Sequence, residues 1–328
     1  MKNKNIIIVA GEPYSVFFEI FFKTFKKKIY QKYKNPLILI GSQKIIMMQM
    51  KKLGFSLKIN LIKSDLLQKY KLDNKKINLI DVNLNFKKPF GKITSKSSKY
   101  INDCFNIGIN IMKKKLGYAL INGPISKKHF LNGKFEGITE YLAYKTYKQN
   151  NVAMLIYNKL LSVCPVTTHI PLKNVHKKIS SKLILDKIIL INEFYKKKIG
   201  KNPKIAVTGL NPHCESNLID SEEKKIIYPA IKMALKRKIN LKGPFPADTL
   251  FMKNNINKFN VVVGMYHDQV ITALKTIHNF NAINITLGLP FIRVSPDHGT
   301  NNKMLGKNKS NPTSLKESLI FLKKLNEN

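Results

Sequence analysis

The sequence predicts an α/β protein with two α/β/α lobes, each built on a largely parallel sheet. Short β-branched runs alternate with longer amphipathic stretches along the chain, and such alternation is typical of parallel sheets covered by helices. The length of 328 residues exceeds what one hydrophobic core of about 250–300 residues supports. The apolar fraction of 44% is that of a folded protein and argues against disorder.

Several apolar runs have the length and composition of strands. They are Ile6–Ala10, Leu37–Ile40, Ile77–Asp81, Tyr118–Asn122, Val152–Tyr157, Leu161–Thr167, Lys204–Thr208, Val261–Met265 and Ile283–Thr286.

Longer stretches between these strands have helical periodicity. They are Ser42–Leu53, Ser95–Leu116, Thr139–Tyr147, Ser180–Ile199, Ser221–Ile239, Gln269–Ile277 and Thr313–Leu325. Asp220, followed by Glu223, predicts an N-terminal cap for the fifth of these helices.

The net charge of +39, from 58 Lys+Arg and 19 Asp+Glu, invites a nucleic-acid or membrane-surface function. Only Arg237 and Arg293 are arginines, whereas nucleic-acid sites favour Arg for bidentate contacts. We therefore predict scattered, solvated lysines and no nucleic-acid or membrane partner. The three cysteines form no CxxC pair, and no run approaches the about 20 apolar residues of a membrane span. A cytoplasmic location is expected.

Three histidines follow the ends of predicted strands, where open α/β sheets bind ligands. They are His169, His213 and His267. Three imidazoles with an open coordination position are typical of a catalytic divalent-metal site. The alternative is that each is only a hydrogen-bonded loop residue.

A second set of polar residues is suited to hold a phosphorylated, carboxylated small molecule. It comprises Thr139, Asp248, Lys275, Asn284 and Arg293. Arg293 stands out because almost every other basic residue is Lys, and its guanidinium makes a forked contact that Lys cannot copy. An ion pair within the fold would explain Arg293 equally, and Lys275 could be one more solvated lysine.

Neither a GxGxxG nor a GxxxxGK[ST] motif is present. The segment 297–300 is the candidate nucleotide loop, because a glycine lets the backbone approach a nucleotide closely. An ordinary turn is the alternative.

Five motifs together resemble the 4-hydroxythreonine-4-phosphate dehydrogenases of vitamin B6 biosynthesis. They are Thr167–Leu172, Gly209–His213, Gly243–Phe251, Tyr266–Gln269 and Asn284–Arg293. The resemblance implies a fold similar to the isocitrate and isopropylmalate dehydrogenases, with an active-site cleft between two lobes. We expect residues 1–130 plus 290–328 in the first lobe and 131–289 in the second.

The resemblance also implies the chemistry and the roles of individual residues. NAD or NADP would oxidise 4-phosphohydroxy-L-threonine to 2-amino-3-oxo-4-phosphooxybutanoate, which loses CO₂ to give 3-amino-2-oxopropyl phosphate. One divalent ion (Zn, Co or Mg) would be held at a homodimer interface by the three histidines. Substrate contacts carry over to Thr139, Lys275, Asn284 and Arg293, catalytic positions to Asp248 and Lys275, and nucleotide contacts to His298, Gly299 and Thr300.

The sequence departs from the family pattern in three places. Ile138 replaces a histidine that the family offers to the substrate, the glycine-rich first loop is replaced by Tyr14–Phe18, and the C-terminal glycine pattern is reduced to Met304–Asn308. Two other hypotheses therefore stay open: a sister dehydrogenase for a four-carbon phosphorylated sugar acid, and a basic binding protein that has lost catalysis.

Overall fold

The computed structural model describes residues 5–31, 33–147, 151–214, 220–279 and 281–327. The chain divides into two compact units. Unit 1 comprises Met1–Ile138 and Pro290–Leu322, and unit 2 comprises Thr139–Leu289 and Lys323–Asn328. Within the described residues, no helix is both long and apolar enough to cross a bilayer.

Strands and helices alternate in both units, which confirms the predicted α/β class. The strands are β1 (Asn5–Val9), β2 (Leu37–Gly41), β3 (Ile59–Leu61), β4 (Ile77–Asp81), β5 (Gly117–Asn122), β6 (Ala153–Tyr157), β7 (Ser162–Pro165), β8 (Ile205–Thr208), β9 (Leu241–Phe245), β10 (Val261–Gly264), β11 (Ile283–Leu287) and β12 (Ile292–Pro296). The helices are α1 (Phe17–Phe25), α2 (Lys28–Gln31), α3 (Gln43–Lys52), α4 (Ser98–Lys113), α5 (Ile138–Tyr147), α6 (Val175–Lys178), α7 (Ser181–Phe194), α8 (Tyr228–Lys236), α9 (Ala247–Leu250), α10 (Lys253–Ile256), α11 (His267–His278) and α12 (Thr313–Glu327).

Unit 1 contains a parallel sheet in the order β3-β4-β2-β1-β5-β12. In β1, Ile6, Ile7, Ile8 and Val9 have no exposed surface. Since neighbouring side chains of a strand point to opposite faces, both faces of the sheet are covered here. This explains why the strand reads as a continuous apolar run.

Unit 2 contains a mixed sheet in the order β11-β6-β7-β10-β8-β9. The strands β7, β10, β8 and β9 are parallel to one another, whereas β6 runs antiparallel to both β11 and β7. Val163, Val262 and Leu274 belong to its buried core, against which Phe245, Phe251 and Phe259 pack.

Every predicted strand and helix is present. The elements that were not predicted are the strands β3, β9 and β12, the helix α1, and the four-residue helices α2, α6, α9 and α10. The largest difference from the prediction concerns the first loop, Tyr14–Phe18. Its last two residues, Phe17 and Phe18, instead begin the helix α1, and both are buried. The predicted helix from Ser221 begins with a π-helical turn, Glu223–Ile227, and continues as α8. Its expected cap at Asp220 is wrong: the Ser221 hydroxyl accepts the Lys224 N–H instead, at 3.3 Å.

Candidate functional site

The carboxyl ends of four parallel strands meet at one edge of the unit 2 sheet. His169 follows β7, His267 follows β10 and His213 follows β8, and these three strands are direct neighbours in the order β7-β10-β8. The tips of adjacent parallel strands form the usual binding edge of an α/β sheet. The predicted metal ligands therefore follow three neighbouring strands of one sheet.

His169 and His267 lie side by side, with ring centroids 5.6 Å apart. The contact arises because the pairing of β7 with β10 continues beyond both strands. The Val166 N–H donates to the Gly264 carbonyl at 2.7 Å, and the Thr167 hydroxyl donates to the Met265 carbonyl at 2.8 Å. The two loops consequently leave the sheet together.

A neighbouring carboxylate orients the His267 ring. Its Nδ1 lies 2.6 Å from Asp268 Oδ1. A carboxylate accepts hydrogen bonds, so Nδ1 is the donating nitrogen and Nε2 is the ring nitrogen left to bind a metal ion. This arrangement is common for histidines that bind metals. The His267 side chain is 35% exposed and thus accessible to a ligand.

His213 is exposed and has a left-handed backbone, with φ 58° and ψ 2°. Among the residues that the structure describes, no group of three His, Cys, Asp or Glu side chains is arranged to hold a metal ion. The structure thus brings together two of the three predicted ligands, His169 and His267. The complete ligand set stays a prediction.

Gln269, which had no predicted role of its own, joins the loops after β8 and β10. Its Oε1 accepts hydrogen bonds from the Met265 N–H at 2.7 Å and the Thr208 hydroxyl at 2.9 Å, and its Nε2 donates to the Gly209 carbonyl at 2.7 Å. These bonds fix the strand ends that carry His213 and His267. The only signal in the sequence was its position in the Tyr266–Gln269 motif.

Glu223 holds the loop before His213 from the other side. It is buried, and its Oε1 accepts the N–H groups of Leu210 and Asn211 at 2.8 and 2.9 Å. Burial by itself would raise the pKa of Glu223, but the donors from Asn211 and Leu210 outweigh it and hold the pKa below its usual value. A Cβ at Gly209 would lie 3.1 Å from Glu223 Oε1 and 2.5 Å from Cys214 Sγ, so a larger residue here would displace the Cys214 thiol and crowd the Glu223 carboxylate.

Asp248 and Lys275, the predicted catalytic residues, are exposed in unit 2. Asp248 lies on α9, directly after β9, and its Oδ1 accepts the Thr249 N–H at 2.8 Å. Burial raises the pKa of Cys214, and the negative charges of Glu223 and Asp248 add to this effect. Asp248 is therefore within electrostatic reach of the loop that carries His213. Lys275 lies on α11, two turns after His267.

Thr139, at the start of α5, lies against β11. Its hydroxyl oxygen is 3.3 Å from that of Thr286, and both residues are buried. Asn284 is on the same face of β11 as Thr286, because residues two apart in a strand share a face. The Asn284 Oδ1 is buried and has no hydrogen-bond partner among the described residues.

In unit 1, Arg293 on β12 is completely buried, and its Nε donates to Asn122 Oδ1 at 2.7 Å. Asn122 is the last residue of β5, the neighbouring strand. Arg293 is the only buried arginine among the described residues, and its guanidinium is thus bonded to the Asn122 side-chain amide at the carboxyl end of β5.

His298, Gly299 and Thr300 follow β12 in the same unit. The His298 Nδ1 lies 3.0 Å from the Gly299 carbonyl oxygen, and burial lowers the pKa of the ring. Because a carbonyl only accepts, Nδ1 is the protonated nitrogen and Nε2 is an acceptor. This Nε2 is buried and has no partner among the described residues. A Cβ at Gly299 would meet nothing within 4 Å, so the backbone there is open to close approach.

The chain is similar to known proteins over nearly its whole length. A family model described as Pyridoxal phosphate biosynthetic protein PdxA matches residues 32–321. A 4-hydroxythreonine-4-phosphate dehydrogenase of Sulfurihydrogenibium sp. (strain YO3AOP1) is 37% identical over 327 residues, which cover 98% of this chain and 98% of the relative. The enzyme of that name from Wigglesworthia glossinidia brevipalpis is 33% identical over 97% of this chain and 95% of its own length.

Solved structures agree with this assignment. The crystal structure of 4-hydroxythreonine-4-phosphate dehydrogenase from Klebsiella pneumoniae has a TM-score of 0.83 at 27% identity, covering 98% of this chain and 99% of that one. Isocitrate dehydrogenase from Methylococcus capsulatus, with a TM-score of 0.51 at 8% identity over 99% of this chain and 86% of that one, shares the fold alone. Together with the family match and the full-length relatives, these similarities show that the chain belongs to the PdxA family.

Proposed function

We propose that this chain is a 4-hydroxythreonine-4-phosphate dehydrogenase. It oxidises 4-phosphohydroxy-L-threonine at C3 with NAD or NADP, and the resulting β-keto acid loses CO₂ to give 3-amino-2-oxopropyl phosphate. Unit 1 holds the nucleotide through residues 298–300. Unit 2 holds one divalent ion (Zn, Co or Mg) through His169, His213 and His267, and takes part in a homodimer with the metal site at its interface.

The placement of the three histidines carries this proposal. They follow three adjacent parallel strands, and two of the rings, those of His169 and His267, are 5.6 Å apart. Imidazole nitrogens suit Zn and Co, and the carboxylate of Asp268 orients the His267 ring through Nδ1, which leaves Nε2 for the ion. A divalent ion bound there would lower the pKa of the substrate hydroxyl that it contacts.

Buried acceptors without partners support the binding of substrate and nucleotide. Leaving such an acceptor unpaired costs about 1–3 kcal/mol, which a ligand donor recovers. Asn284 Oδ1 suits the ammonium group of the amino acid substrate. His298 Nε2 suits the exocyclic amine of adenine, and the open backbone at Gly299 lets the nucleotide come close.

The remaining steps are proton transfers and positioning. A nicotinamide nucleotide bound at residues 298–300 would supply the acceptor for the hydride from C3, and Asp248 would accept the proton of the C3 hydroxyl. Loss of CO₂ then leaves an enolate, to which the Lys275 ammonium returns a proton at carbon. Thr139 and Arg293 are the remaining residues proposed to orient the phosphorylated end of the substrate.

A turnover assay tests the proposal. We expect NADH or NADPH to form from 4-phosphohydroxy-L-threonine, with the strongest response to one of Zn, Co, Mg and Mn. Chelation should abolish turnover. His213→Ala should lower it by at least about 100-fold, the scale of losing a metal ligand or its support.

His176→Ala is the matched control, because His176 lies on α6 and has no proposed role. Unchanged turnover in His213→Ala would rule out the metal assignment. Absence of turnover with every metal and both nucleotides would rule out the dehydrogenase itself.

A second candidate function rests on Ile138. This residue begins α5 next to Thr139, and its alkyl side chain cannot make the hydrogen bond of the histidine found in the family. A changed substrate would account for that loss, in particular a four-carbon phosphorylated sugar acid such as erythronate 4-phosphate or threonate 4-phosphate. Turnover of these acids beside 4-phosphohydroxy-L-threonine decides between the two.

A further inference from the structure

A carboxyl group with no proposed role is buried where the first strand of unit 1 ends. Glu12 follows β1 and is 1% exposed. β1 lies between β2 and β5, inside the parallel sheet. Glu12 is therefore at the carboxyl edge of that sheet, where α/β folds bind their ligands.

The groups that bind the Glu12 carboxyl are neutral. The Ser97 hydroxyl lies 3.2 Å from both of its oxygens, and the Tyr14 N–H donates to Oε1 at 3.4 Å. The Glu12 backbone carbonyl accepts the Ser15 hydroxyl at 2.7 Å. From α3, the Gln49 amide donates to the Pro13 carbonyl at 3.0 Å. The segment is thus fixed by hydrogen bonds around a buried carboxyl group.

The Glu12 carboxyl group titrates near neutral pH. Burial raises the pKa of Glu12 to about 7, and the Tyr14 and Ser97 hydrogen bonds oppose the rise only in part. The titratable groups that interact with it are Tyr14 on its own segment and Tyr100 on α4, whose pKa values burial raises. Burial likewise raises the pKa of Cys104, which is hydrogen-bonded to Tyr100. Asp81, the last residue of β4, adds negative charge near Cys104. Glu12 is the member of this set that titrates in the neutral range.

The same segment is bonded to the candidate nucleotide loop. The Val16 N–H, at the start of α1, donates to the Thr300 carbonyl at 3.2 Å. The Ser15 hydroxyl oxygen accepts the Phe17 N–H at 3.3 Å. A short run of chain, 12–17, therefore connects the buried carboxyl to both α1 and Thr300.

We propose that Glu12 is a positioning residue for the nucleotide, which holds residues 298–300 in their binding position while it is protonated and buried. A proton stabilises the conformation of the protein that binds it more tightly, and here that is the one in which Glu12 is buried. As the pH rises, ionised Glu12 favours states in which water reaches it, and the 12–16 segment then moves away from Thr300. The inference rests on the proposed use of a nicotinamide nucleotide.

Direct binding of NADH and NADPH, followed by their fluorescence from about pH 6 to about pH 8, tests this role. In the wild type we expect Kd to rise with pH, by at most about tenfold per pH unit, which is the limit for one linked proton. Glu12→Gln copies the neutral carboxyl, so its Kd should stay low and lose this pH dependence. Ser97→Ala removes a donor that favours the ionised form and should move the midpoint to higher pH.

Each outcome has a separate meaning. If the dependence of Kd on pH has the same shape and midpoint in the wild type, Glu12→Gln and Ser97→Ala, the role of Glu12 is overturned. A purely structural residue would change Kd by the same factor at every pH. A wild-type Kd that does not change with pH also overturns it, while leaving the dehydrogenase proposal intact. No nucleotide binding at any pH overturns both. If Glu12→Gln does not fold, the shift expected for Ser97→Ala decides alone.

Discussion

Arg293 and Arg237 show how differently one residue type is used within a lysine-rich chain. Arg293 is fully buried and bonded to Asn122, whereas Arg237 is exposed at the end of α8. A guanidinium offers five donors in a fixed plane, and an ammonium offers three on a flexible stem. The buried position therefore depends on Arg for a geometric reason, and the exposed one does not.

We expect Arg293→Lys to lower the free energy of unfolding by about 1–3 kcal/mol, because the Nε bond to Asn122 is lost and a buried acceptor is left without its donor. Urea denaturation measures the change. Arg237→Lys is the matched control and should stay within about 0.5 kcal/mol of the wild type, as surface substitutions usually do. Equal stabilities of the two variants would contradict the structural importance of the buried guanidinium.

At the level of whole elements, the strand tips are positioned by residues distant in the sequence. Glu223, in the π-helical turn before α8, binds the loop after β8, and Gln269 on α11 binds the ends of both β8 and β10. Glu223 and Gln269 thus reach these strand ends only after the helices that carry them have packed against the sheet.

Glu223→Gln should destabilise the protein by about 1–3 kcal/mol at neutral pH, since a carboxylate accepting several N–H groups becomes an amide with one acceptor. The pKa of Glu223 is lowered in the fold, so its stabilisation is present above the unfolded-state pKa and is lost as the pH falls through the lower, folded value. The difference between wild type and variant should thus shrink in acid.

Denaturation midpoints across a pH series measure this difference. Glu193→Gln serves as the control, because Glu193 is 51% exposed on α7 and pairs with Lys197 only at the surface. A Glu223→Gln effect of constant size at every pH would show that the carboxylate charge is not what stabilises the loop.

The sequence predicted elements well where a residue pattern is local. The apolar runs of β1 and β10 are continuous because these strands are buried on both faces. The polar residues that follow each strand were recognisable because they interrupt such a run. By contrast, β9 contains Gly243-Pro244 and β3 is short and partly exposed, so neither reads as a strand. The helix α1 is short and almost entirely buried, with Phe at five of its nine positions. Phe has only a modest helix propensity, so composition does not identify this helix.

The candidate site was predictable only in part. His169 and His267 could be placed because each follows an apolar strand, and their ring contact follows from strand adjacency. The bonds of Gln269 to Thr208 and Gly209 and the bond of Glu12 to Ser97 join residues 60 to 85 positions apart, and no periodicity records such pairs. Their roles emerge only from distances in the folded chain.

For the molecule as a whole, the charge of +39 is carried by lysines on many surfaces. Ion pairs such as Lys99–Asp103 and Lys182–Asp186 are exposed on their lysine side and contribute little to stability. The field of so many uncompensated cations extends into solvent and attracts anions. A phosphorylated substrate and a dinucleotide are both anionic.

We therefore expect kcat/KM for 4-phosphohydroxy-L-threonine to fall as ionic strength increases, because screening shortens the reach of the field to about 10 Å at 0.1 M salt. At saturating substrate, kcat should change little, which serves as the internal control. Initial rates in a KCl series measure both quantities. A kcat/KM that is constant across the series would mean that the surface charge plays no part in substrate capture.

The reversed direction of β6 has a practical consequence. Its carboxyl end lies at the edge of the sheet opposite to the tips that carry His169 and His267, because β6 runs antiparallel to β7. The connection between the two strands is short, and Leu160 within it is 66% exposed. Exposed loop tips tolerate insertions. The bond between Lys159 and Leu160 is thus a suitable point for a purification tag, a fluorophore or new chain termini, at the edge of the sheet opposite to the tips that carry His169 and His267.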